Sequence, residues 1–235
     1  MRSEWVPVSA AALVTGVMAL VLGQMLNPAG PGDSPARQVI LAADHEGRWL
    51  AMSILYFTGA AAMVLGMPAV MTLFQERRGR GLGMVGVAVF TVGCVGVGGI
   101  AALMLMFRSL AITAFAGGTV SSTAAGVTEV TLIRKALEEP GLMVALSVWA
   151  YGFMLGVLLM ALALLRAKRV PAWIPALLIG FLAVQLVMPF VDSEVFSRVA
   201  SAAGLLLLAA GFTGMATNAA SPRSPVPVTH ALVRN

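Results

Sequence analysis

Apolar residues fill this chain in six long runs, roughly Val6–Leu26, Trp49–Phe74, Leu82–Phe107, Leu142–Leu165, Ala172–Phe190 and Val199–Thr217, with most of the charges gathered between them. A helix needs ~20 mostly apolar residues to cross a hydrocarbon layer of ~30 Å. The pattern therefore predicts an all-α, polytopic membrane protein, a bundle of six transmembrane helices. Small residues recur at four-residue spacing, as in Thr15/Ala19/Gly23, Thr58/Ala62/Gly66, Gly98/Ala102, Gly152/Gly156 and Ala210/Gly214. Such stripes let helix backbones approach closely in lipid, so residues 1–220 are expected to form one compact bundle. Three runs precede the long polar segment Ser109–Gly141 and three follow it. Inverted halves of this kind occur in transporters, although the residues themselves show no repeat. The first run outlasts the apolar core of a signal peptide, about 7–15 residues, and is expected to be a retained helix.

The segments between the runs set the expected orientation. With a cytoplasmic N-terminus, nine basic residues fall inside (Arg2, Arg77, Arg78, Arg80, Arg166, Lys168, Arg169, Arg223, Arg234) and six outside (Arg37, Arg48, Arg108, Arg134, Lys135, Arg198). The tight basic hairpins Gln75–Gly81 and Arg166–Pro171 carry most of the bias, which predicts both termini in the cytoplasm. Acids sort more sharply. Glu4 and Glu76 fall inside, whereas Asp33, Asp44, Glu46, Glu129, Glu138, Glu139, Asp192 and Glu194 fall outside. The outer segment Asn27–Arg48 opens with a Pro/Gly-rich turn, after which Ser34-Pro35 reads as a helix start. Val127–Glu139 spaces Val130, Ile133 and Leu137 at near-helical intervals and is expected to form an amphipathic helix on the outer surface. The tail, residues 221–235, holds three prolines within seven residues (Pro222, Pro225, Pro227) and is expected to be disordered.

Composition removes several alternatives. Hydrophobic residues make up 59% and charged ones 11%, with a mean hydropathy of +0.93. A soluble domain carries about 25% charged residues, so this chain could not cover a water-facing surface. The formal charge of +5 is the mark of basic anchoring loops; no nucleic-acid partner is expected. Membrane lipid and a hydrophobic small molecule are the expected partners, and the cytoplasmic membrane of a bacterium is the expected location. Cys94 is the only cysteine, which rules out an intramolecular disulfide and a multi-cysteine metal site. No metal and no cofactor is expected, since no metal-ligand spacing signature occurs and no histidine lies within an apolar run.

Two acid-x-acid pairs, Asp44-His45-Glu46 and Asp192-Ser193-Glu194, bracket the outer ends of the second and sixth runs, and Glu129 could approach from the long loop. Carboxyl groups gathered beside lipid would hold their protons more tightly and could act as general acids. The plainer account is that solvated loops carry acids. Trp49, Tyr56, Trp149 and Phe153 lie in the outer halves of their runs, with Trp149 and Phe153 on one helix face. They could line an apolar pocket and stabilise a cation with their π faces, or belong in part to an interfacial aromatic belt. Gln185 is the main polar residue in mid-run. No carboxylate lies near a run's centre, where proton relays of pumps usually keep one.

The hairpin Arg166-Ala167-Lys168-Arg169, the following Val170-Pro171-Ala172-Trp173 and the later Ala209-Ala210-Gly211-Phe212 resemble small six-span proteins of high-GC actinobacteria, which implies topology and little chemistry. In size and in pairing outer acids with aromatics, the chain is also similar in architecture to the small membrane-bound terpene cyclases. That resemblance implies a cofactor-free, acid-initiated cyclase or isomerase of an isoprenoid-like lipid. Asp192 and Glu194, or Asp44 and Glu46, would supply the proton, and Tyr56, Trp149 and Phe153 would line the pocket. The D-x-D-D motif of the soluble cyclase class is absent. A small-molecule transporter or exporter, and a structural or regulatory membrane partner, are the alternative expectations.

Overall fold

The computed structural model describes residues 4–30, 33, 35–75, 79–115, 135, 139–168, 170–190 and 194–221. Among them the chain is all-α. Its helices are α1 (Trp5–Leu26), α2 (Pro35–Asp44), α3 (Glu46–Thr72), α4 (Arg80–Phe115), α5 (Pro140–Ala167), α6 (Trp173–Val187) and α7 (Glu194–Ala220), with a 3-10 turn at Met188–Phe190. Five helices, namely α1, α3, α4, α5 and α7, are long and apolar enough to cross a membrane.

The expected runs correspond to these helices, with shifted ends. Of the helix start read at Ser34-Pro35, Pro35 is the first residue of α2, and Ser34 lies outside the described residues. Helix α4 has 36 residues, about 54 Å at 1.5 Å per residue, so it continues well past Phe107 into the segment read as a loop. Helix α6 is shorter than expected at 15 residues, about 22 Å, because the chain tightens into the 3-10 turn around Pro189. Pro140 begins α5, where its missing N–H costs nothing. The same helix ends at Lys168, whose left-handed backbone (φ 50°) lets its N–H donate to Leu164 O at 3.1 Å. The amphipathic segment Val127–Glu139 and the tail lie largely outside the described residues.

The five long helices and the shorter α6 close into a ring. Each packs on the next, α1 on α3, α3 on α4, α4 on α5, α5 on α6, α6 on α7, and α7 returns to α1. Glycines set the spacing at these seams. A Cβ on Gly66 would stand 2.6 Å from Leu13 Cβ, one on Gly16 would stand 2.7 Å from the Met63 backbone nitrogen, and one on Gly93 would stand 2.4 Å from that of Phe153. Backbones meet there with no room for a side chain, the mode of association that suits lipid.

The core at the centre of the ring is aromatic and methionine-rich. Phe90 meets Phe153 at a tilt, 4.8 Å between ring centroids, and Phe212 likewise at 5.2 Å, and Phe153 meets Phe181 edge-on at 6.4 Å. Met63, Met67, Met160 and Met215 fill around them, as flexible thioethers do in irregular gaps. The outside is apolar too: Leu65, Val95 and Leu186 are about two-thirds or more exposed. Helices apolar on every side belong in lipid. A second cluster, Ala42, Trp49, Met52 and Ala111, packs α2 against α3 and α4 at one end of the bundle.

Candidate functional site

The polar chemistry gathers where α1 ends and α3 and α7 begin. Gln24, in the last turn of α1, is the hub. Tyr56 of α3 donates its hydroxyl hydrogen to Gln24 Oε1, and Gln24 Nε2 donates to Ser201 Oγ of α7 at 3.5 Å. Three helices are thus tied by side chains that are all partly buried. The tyrosine can reach because Gly23 faces it; a Cβ there would stand 3.1 Å from the Tyr56 ring. One residue past α1, Asn27 turns the chain by accepting the Ala29 N–H on Oδ1 at 3.0 Å, a local bond that competes with continued helix.

Beside this relay lies a cavity of about 240 Å³, lined by Val21, Gln24, Asn27, Arg48, Arg198 and Leu205 among others. Its walls therefore combine two guanidinium groups and two amides with aliphatic side chains. Arg48 has no ion-pair partner among the described residues, whereas Arg198 makes a further interaction within the fold. A second, shallower groove near the opposite end is lined by Met18, Trp173 and the small residues Ala210 and Gly214 of α7.

The residues singled out from sequence fall in three places. Asp44 and Glu46 are exposed, at the junction of α2 and α3. Glu46 forms an ion pair with Arg108 of α4, which fastens α3 to α4. Glu194 opens α7, one helical turn before Arg198, while Asp192 and Glu129 lie outside the described residues. The aromatics mostly serve packing. Trp49 is buried, and its Nε1–H donates to Met104 O at 2.9 Å. Trp149 is half-buried, seated over Gly96 and Gly99 of α4, and Phe153 belongs to the central phenylalanine cluster. Tyr56 alone of the four touches the polar relay. Neither cavity is lined by any of the described candidate acids.

Sequence reasoning passed over Gln24, Asn27, Arg48 and Arg198. Gln24 lies near the end of its apolar run and draws less notice than the mid-run Gln185, and the arginines count only toward topology. A signal did exist: Gln24 is a polar residue inside an apolar run, and its costs in lipid demand a partner. No protein-family model matches the chain, and no curated protein or solved structure matches it either.

Proposed function

We propose that this chain is a six-span protein of a bacterial cytoplasmic membrane, with both termini in the cytoplasm, that binds a small polar or amphiphilic molecule at its outer end in the manner of a transporter or exporter. One observation carries the reading: a cavity lined by Gln24, Asn27, Arg48 and Arg198 at one end of an otherwise apolar bundle. Polar groups are costly to keep in such a setting, and a shaped recess with a few convergent polar groups is the usual form of a ligand site. The sixth span would be α6 with its 3-10 turn, about 28 Å in all, close to the hydrocarbon thickness. The basic hairpins around Gly79 and Lys168 lie at the opposite end from the cavity, which supports an outward-facing site.

An acid-initiated cyclase is the second reading, favoured by Glu194, which stands one turn before Arg198 at the start of α7. The first reading is stronger because Asp44 and Glu46 are exposed, Glu46 is engaged by Arg108, and the Phe153 cluster is closely packed. The deciding experiment uses purified protein in lipid nanodiscs against a panel of prenylated, acyl and polar small molecules. Binders are expected to raise the unfolding temperature of the wild type, and Gln24→Leu is expected to remove that rise while unfolding cooperatively. A panel without any stabilising molecule would sink the binding reading. A product of unchanged mass and shifted retention, lost in Glu194→Gln, would replace it with the cyclase.

A further inference from the structure

We infer that the cavity between α1, α3 and α7 recognises an anionic phosphate or carboxylate, carried by an amphiphile whose tail stays outside; this rests on the reading of the cavity as a ligand site. The argument is a count of donors and acceptors. Arg48, which has no ion-pair partner among the described residues, and Arg198, which is already engaged within the fold, both carry N–H donors and no acceptor. Gln24 Oε1 already accepts from the Tyr56 hydroxyl, while its NH₂ group gives one hydrogen to Ser201 and keeps a second to donate. Asn27 Oδ1 already accepts the Ala29 N–H, and its NH₂ group brings two donors. Donors therefore outnumber acceptors in the lining, with Arg48 of α3 as the charge that lacks an ion-pair partner among the described residues. A ligand that satisfies them must be rich in acceptors, and guanidinium forks match the oxygens of phosphate and carboxylate.

Size and walls narrow the ligand further. At about 240 Å³ the cavity is smaller than the roughly 300–1,000 Å³ of pockets that enclose drug-sized molecules. It suits a head group, not a whole amphiphile. Val21, Met25 and Leu205 form its apolar side, and the neighbouring Leu22 and Leu206 are about half exposed, which leaves an apolar track along α1 and α7 for an acyl or prenyl chain. The Tyr56–Gln24 bond gives the tyrosine a positioning role, since it fixes the orientation of an amide that lines the cavity.

The test compares wild type, Arg48→Gln, Arg48→Lys and Tyr56→Phe by native mass spectrometry. The proteins are released from phosphatidylcholine vesicles doped with phosphatidylglycerol, with inorganic phosphate as competitor. Wild type is expected to retain phosphatidylglycerol over phosphatidylcholine. Arg48→Gln should weaken that retention about tenfold, the loss of one charge-assisted contact, with Arg48→Lys intermediate and Tyr56→Phe reduced at unchanged charge. Displacement by inorganic phosphate with the same Arg48 dependence would support the anion chemistry and make its source a soluble phosphate compound. Equal retention of both lipids, unaltered by Arg48→Gln and by phosphate, would overturn the inference. If small molecules were still to stabilise the wild type and not Gln24→Leu, the cavity would remain a ligand site of another chemistry; if none did, the site itself would be refuted.

Discussion

Two glycines one turn apart on α5 should respond oppositely to the same substitution. A Cβ on Gly156 would stand 2.5 Å from both Cα and N of Phe90, against 3.7 Å from the nearest neighbour, Val89 O, for a Cβ on Gly152. Carbon contacts are comfortable at about 3.5–4.0 Å, so Gly156→Ala is short by roughly 1 Å. The obstacle is backbone, which no rotamer change can move, so α4 and α5 must separate. A radial gap of about 0.5–1 Å already forfeits a quarter to a half of each contact's attraction, and the tilted Phe90–Phe153 ring pair is on this seam. Overpacking of this kind costs about 1–3 kcal/mol. Gly152→Ala meets ordinary contact and should gain up to about 0.5–1 kcal/mol from reduced backbone freedom in the unfolded chain. The two variants should therefore differ by about 2 kcal/mol or more in reversible unfolding in mixed micelles, followed by tryptophan fluorescence. Equal stabilities within about 0.5 kcal/mol would refute the close α4–α5 seam.

Other parts of the bundle make separate predictions. Trp49→Phe keeps most of the buried ring and leaves Met104 O without its donor, so it should cost about 0.5–1.5 kcal/mol; a neutral result in the same unfolding assay would remove that bond. The Glu46–Arg108 pair has side chains 50% and 24% exposed. A double-mutant cycle with Glu46→Gln and Arg108→Gln should thus give a coupling of about 0.2–1 kcal/mol, and several kcal/mol would mean a far drier setting. Asp44→Asn alters an exposed side chain and should change stability by no more than about 0.5 kcal/mol. A large loss of stability would show that the α2–α3 junction is packed differently.

The five long apolar helices were legible because a helix able to cross lipid must be apolar for its whole length, and no tertiary contact is needed to see it. The turn at Ser34-Pro35 was equally local. Small-residue stripes were legible as a type and less so in register: Gly156, Gly66 and Gly23 meet neighbours closely, but Gly152 has room and Gly98 touches only the edge of Phe57. Which face of a helix meets another depends on the ring's closure, and spacing within one helix carries no information about that. The same cause hid the site. Gln24 and Ser201 are 177 positions apart, and the cavity exists only because α7 returns to α1. Acids attracted attention by their one-sided distribution, yet Asp44 and Glu46 are exposed and Glu46 is paired with Arg108, while the arginines that line the cavity look in sequence like ordinary topology signals. Phe153 reads as a candidate pocket residue until Phe90, Phe181 and Phe212 are seen around it.

The central claim is that the recess between α1, α3 and α7 opens to the outer side of the membrane and receives a ligand. Single cysteines at Asn27→Cys and Ala202→Cys, in a Cys94→Ala background, would be treated in intact cells with a membrane-impermeant maleimide. Both are expected to react from outside, and a binder found in the nanodisc panel is expected to slow both reactions without affecting a control cysteine at Gly141. Labelling of either position only after the cells are opened, or equal rates with and without the binder, would contradict the account.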